Sequence, residues 1–206
     1  MNANGHNVVA IAKGSDMSIW LKRFLLLALI SSACSTIYAQ KIVHGVSGEV
    51  TAVNPADDTI TVKTTDGSDW VFKYQKGAKS SLVFDKDVRA GTIEPYDFNK
   101  IGDHVVAYYV DQGFVNRTIV ALKDFGTSQL QTASGSVVKT KHHEITVKTD
   151  TGATETFEIS KDATAETPGG VVSGFKFDVD PGTKVTVRYT EEGGRMIAQF
   201  IRNAFG

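Results

Sequence analysis

The chain has 206 residues with 41% hydrophobic and 22% charged side chains, a composition that excludes a disordered polymer and allows one large domain or two small ones. Its formal net charge is −1 and no basic stretch interrupts it, which argues against nucleic-acid binding. A single cysteine, Cys34, rules out a disulfide framework or a thiolate metal site, so stability has to come from packing.

The first element in chain order is the apolar run from Phe24 to Ile30, preceded by Lys22 and Arg23 and followed by the small, polar SSACSTIYA. Basic residues, a short apolar run and a small-residue site make a secretory signal. The run is far shorter than the about 20 residues a membrane-spanning helix needs. Met17 is a plausible start, giving MSIWLKR as a compact basic lead. Cleavage after Ala39 would release a soluble chain beginning at Gln40; the alternative is lipid modification of Cys34 within SSAC, giving an anchored envelope protein. Residues 1–39 are therefore expected to be signal and upstream extension. Removing Lys13, Asp16, Lys22 and Arg23 leaves 19 basic and 22 acidic residues, a net charge of about −3.

Beyond the signal the hydrophobic period is two almost throughout, in SGEVTAV, TITVKT, DWVFKY and HVVAYYV and then in EITVKT, ETFEI and KVTVRY. Short alternating runs rich in Val, Ile, Thr and aromatics predict strands. They occur twice in one order. ITVKTTDG at residues 60–67 returns as ITVKTDTG at 145–152, Ser47-Gly48 matches Ser134-Gly135, and Phe72 matches Phe157. Gly102 matches Gly182, Tyr109 matches Tyr189, and Arg117 with Ile119 matches Arg195 with Ile197. Each copy reads as three strands, a variable segment and a terminal hairpin. Five short strands with one buried face close into a barrel to remove their edges. The predicted fold is all-β: two tandem five-stranded small antiparallel barrels after the signal segment, at residues 40–128 and 129–206. The polar TSQLQTASG, residues 127–135, is read as the linker, and a single sandwich is the alternative.

The run G-x-V-x-x-V, then TITVKT, an aromatic strand, G-D-x-V-x-x-Y and a Gly-tipped hairpin resembles the tandem small OB-like (oligonucleotide/oligosaccharide-binding) β-barrel domains of uncharacterised exported bacterial proteins. The resemblance covers nearly all of residues 44–206. Similar barrels occur in periplasmic copper chaperones, but those use methionine sulfurs, and Met196 is the only methionine past the signal.

Trp70, Phe72 and Tyr74 alternate onto one face of the third strand, where the second copy has Glu155, Phe157 and Ile159. Phe72 and Phe157 read as core. Trp70, with Tyr74, is a candidate ligand-stacking surface, the alternative for Trp70 being a barrel-end plug. His142 and His143 form a candidate Cu or Zn site at the first hairpin tip of the second copy, or else an exposed polar turn. Asp85, Asp87, Glu94, Asp97 and Asp103 offer oxygen ligands, but their spacing fails the calcium-loop pattern and reads as a solvated loop. Asn116-Arg117-Thr118 is a formal glycosylation sequon. No nucleophile elbow, zinc-protease helix, phosphate loop or dinucleotide fingerprint is present. The sequence therefore predicts a non-enzymatic exported protein without a cofactor, binding an unknown envelope ligand or partner. A periplasmic copper or zinc binder and a structural spacer are the alternatives, and contact with the membrane requires Cys34 or an uncleaved signal.

Overall fold

The computed structural model describes residues 41–75, 86–111, 117–128 and 130–204. The segment expected to be a signal, both candidate start and cleavage positions, Cys34, Asp85 and Asn116 lie outside the described residues. So does Gln129 of the expected linker.

Strands β1 (Val43–Asn54), β2 (Thr59–Thr64), β3 (Asp69–Lys73), β4 (His104–Asp111) and β5 (Arg117–Asp124) form a closed barrel in the order β1-β2-β3-β5-β4. Strands β6 (Gln131–Lys141), β7 (Glu144–Thr149), β8 (Thr154–Thr167), β10 (Lys184–Glu192) and β11 (Arg195–Asn203) repeat that circuit, closed by pairing of β11 with β8. The short β9 (Gly170–Ser173) adds a hairpin to the end of β8.

The expectation of wholly antiparallel barrels is corrected at one seam in each copy: β3 runs parallel to β5, and β8 runs parallel to β11. The cause is arithmetic. Strands that alternate direction cannot close a ring of odd number, so five strands leave one neighbouring pair pointing the same way. A parallel pair needs a long connection, and this is the variable segment of each copy. In the first copy its described part holds one helical turn, α1 (Lys86–Arg89), and a 3-10 turn at Pro95–Asp97. In the second copy it is the extension of β8, then β9 and a 3-10 turn at Gly174–Lys176.

The two barrels match in register. Ile60 lies opposite Phe72 and Val62 opposite Trp70, while Ile145 lies opposite Phe157 and Val147 opposite Glu155. Bulges recur at Val50/Ala52 and Val137/Lys139, and again at Tyr108/Tyr109 and Arg188/Tyr189. Gly48 and Gly135 serve one purpose: a Cβ there would stand 2.3 and 2.2 Å from the carbonyl oxygens of Lys63 and Lys148, where β1 and β6 coil against their partners. Each barrel has its own core, with Val50, Ile60, Val62, Phe72, Val105 and Leu122 at 0% exposure in the first and Ile145, Val147, Phe157, Val187 and Ile201 at 0% in the second.

Most of the expected linker is strand. β6 begins at Gln131, and its residues alternate Ala133 and Gly135 inward with Thr132 and Ser134 outward. The stretch looks aperiodic because its inward positions are small, not because it lacks structure.

The barrels are parts of one compact unit, joined by a third apolar core. Strand β4 is buried on both faces: Val105, Ala107 and Tyr109 point into its own barrel, while Val106, Tyr108 and Val110 meet Phe200 and Val171 of the second. The Tyr108 hydroxyl and Thr164 Oγ1 are 2.9 Å apart, and Lys123 donates to the Asp162 carbonyl at 2.6 Å. Glu166 spans the junction, with one oxygen 2.7 Å from His44 Nδ1 and the other accepting the Gly45 N–H at 2.7 Å. Gly45 must stay small, because a Cβ there would stand 2.7 Å from Val171 Cγ2.

Candidate functional site

Two places gather chemistry. The first is the end of the first barrel, at Trp70. The indole is half-buried on the core, 6.2 Å from the Phe72 ring and edge-on to Tyr109 at 5.8 Å. The Arg117 guanidinium lies 3.9 Å over its ring, so one indole face is already covered by a cation. Arg117 turns there because of its neighbours. In the second barrel the matching Arg195 pairs with Glu158 at 2.8 Å, and the first barrel has Lys73 where Glu158 stands. Tyr74 is only 7% exposed and belongs to the barrel core, where burial raises its hydroxyl pKa. Tyr109 continues the aromatic group toward His44 at 5.7 Å, and burial pushes its hydroxyl up to about 12.

His142 and His143 stand at the hairpin tip where the sequence places them. They occupy the turn between β6 and β7, so their rings are not sent to opposite faces, and the centroids are 4.3 Å apart. Both rings rest on Phe175, at 5.5 and 4.6 Å. Among the described residues no group of three His, Cys, Asp or Glu side chains is placed to hold a metal ion. Three acidic residues of the first variable segment have basic neighbours: Glu94 lies 3.1 Å from Arg89, Asp103 lies 3.7 Å from Lys100, and Asp87 lies 3.7 Å from Lys176.

The second place is a cleft of about 440 Å³ between the barrels. The first barrel lines it with Gly48, Glu49, Lys63, the turn after β2 and His104; the second contributes Thr132 and Arg188. A smaller adjoining cavity of about 50 Å³ shares Thr65 and Arg188 and adds Arg202. Arg188 is 7% exposed, with Nη1 donating to Thr132 Oγ1 and Nε buried without an acceptor. Burial lowers its pKa, and among the described residues no carboxylate holds it up. The Nδ1 of His104 is likewise buried without a partner.

Reading the sequence as strands and motifs misses Arg188. In KVTVRYT it sits at an outward position and looks solvated; only docking against the first barrel buries it. The available signal is the repeat, because alignment of Tyr109 with Tyr189 places Tyr108 opposite Arg188, a buried aromatic in one copy and an arginine in the other.

No family model matches the chain, and no curated protein matches it. Among solved structures it is similar to drosophila Unr CSD456, a cold-shock-domain protein, with 14% identity over 78% of this chain and a TM-score of 0.29. The chain spans 61% of that structure's length. At this level of likeness the barrel assignment rests on the strand pairing itself.

Proposed function

We propose that this chain is an exported, non-enzymatic binding protein of the cell envelope whose ligand seats between its two OB-like barrels. The observation that carries this reading is the open inter-barrel cleft of about 440 Å³, a volume of the size that small-molecule sites have. Strand ends and a turn supply its walls from both barrels, and the shared third core holds those walls in one relation. Rigid elements with converging polar groups are what a pre-formed site needs.

The reading is tested by a thermal-shift screen of metabolites and short glycans against the purified protein and a Thr132→Trp variant that fills the cleft. A ligand that binds only the folded state raises the melting temperature by mass action. The expected hit stabilises the wild type and not Thr132→Trp. A hit indifferent to Thr132→Trp but lost in Trp70→Glu would move the site to the barrel end and overturn the cleft reading.

The paired imidazoles favour a second reading, a copper or zinc binder at His142 and His143, since their rings stand 4.3 Å apart on an exposed turn. Two imidazoles without a third described ligand make a weak site. Titration with Cu²⁺ and Zn²⁺ by calorimetry decides it, and micromolar binding abolished by His143→Ala would establish it.

A further inference from the structure

We infer that the ligand of the cleft carries an oxyanion, a phosphate or carboxylate group, anchored by Arg188; this rests on the reading of the cleft as the binding site. A guanidinium withdrawn from solvent is normally matched by a carboxylate or by several acceptors, because an unpaired buried charge is costly. Arg188 is 7% exposed, yet the one side-chain acceptor it has is the Thr132 hydroxyl, its Nε has none, and no described carboxylate pairs with it. The strand does not demand an arginine, since the first barrel builds the equivalent position with Tyr108.

A second cation, Lys63, lines the same cleft, and Arg202, which lines the adjoining cavity, lies within electrostatic reach of Glu166 and Asp66. Glu49 is the sole carboxylate among the lining residues, and its side chain is exposed. Lys63 and Arg188 together outnumber that carboxylate, and a concave site focuses the potential of its walls where an anion would enter. Arginine presents parallel N–H groups that match two oxygens of a phosphate or carboxylate, and the side chain of Arg188 lines the cleft while one of its donors has no acceptor in the protein.

The test is calorimetric titration of the purified protein with three probes: inorganic pyrophosphate, citrate and neutral maltose. Saturable binding of pyrophosphate or citrate is expected, and whichever binds assigns the oxyanion as phosphate or carboxylate. Arg188→Gln is expected to weaken it on the order of tenfold to a hundredfold, the usual effect of losing hydrogen bonds to a charged group. Lys63→Gln lies on an exposed strand position and keeps the test open if Arg188→Gln does not fold. It is expected to weaken binding and flatten its salt dependence. Undiminished oxyanion affinity in either folded variant overturns the inference. Maltose binding that Thr132→Trp blocks, with neither anion binding at millimolar concentration, overturns the oxyanion and leaves the cleft reading standing. No saturable binding by any probe counts against both.

Discussion

Trp70 and Glu155 occupy the same register position in two copies of one strand pair, opposite Val62 and Val147, so the backbone there accepts either side chain. Substituting Trp70→Glu loses the indole contacts with Phe72 and Tyr109 but places a carboxylate where Arg117 stands. The expected cost is about 1 to 2 kcal/mol. Phe72 is 0% exposed, and Phe72→Ala is expected to cost roughly 3 to 5 kcal/mol. Urea denaturation of both variants checks the order; equal losses would make Trp70 a core residue. The core role of Phe72 was legible from the repeat and the period of two. The half-buried state of Trp70 was not, because it depends on Arg117 arriving across the parallel seam from a strand more than forty positions away. His142 and His143 were legible as the hairpin tip of the second copy, but their common contact with Phe175 was not, because that residue comes from the variable segment.

Strand β4 shows how much an element's two faces can say. HVVAYYV is apolar at every interior position, the mark of a strand buried on both sides, whereas its counterpart KVTVRYT alternates. That difference was present in the sequence and points to a second surface under the first barrel; which element covers it was not readable, because β8, β9 and β11 approach from the other copy. Val106, Val110 and Phe200 each contribute roughly 1.5 to 3 kcal/mol as an upper estimate for leaving water. Tyr108→Phe removes only the hydroxyl that meets Thr164, leaving that buried oxygen without its partner, and is expected to cost about 1 kcal/mol. Equilibrium unfolding measures it. A change indistinguishable from zero would mean that the bond does not contribute to the junction.

For the molecule as one body, the third core predicts that the copies depend on each other. Isolated residues 40–128 would expose Val106, Tyr108, Val110 and Val120, so this piece is expected to associate with residues 130–206 in solution. Size-exclusion chromatography of the mixed pieces checks this, and two pieces that stay monomeric when mixed would contradict it. Glu166 adds a pH signature at the junction. Burial raises its folded pKa, although His44 and the Gly45 N–H pull it back. The folded state therefore holds that proton more tightly than the unfolded chain. The stability this gives is fully present below the ordinary carboxylate value and is lost as pH rises through the folded value. Asp66 and Asp124 are shifted down and slope the opposite way, so the observable is a difference. The melting temperature of wild type minus that of Glu166→Gln should fall as pH rises above the ordinary carboxylate range. A difference that grows instead would mean that the ionised carboxylate is the form the junction favours.

The central claim is that Arg188 is buried for a ligand and not for the fold, and the most direct measurement is the unfolding free energy of Arg188→Met against wild type without ligand. Replacing an unpaired buried charge with an apolar side chain of similar length removes a desolvation cost, at the loss of one hydrogen bond to Thr132. The account predicts a variant at least as stable as the wild type, with a gain on the order of 1 kcal/mol. A loss of about 3 kcal/mol or more would contradict it, since that is the penalty for breaking a buried charge pair the protein itself supplies.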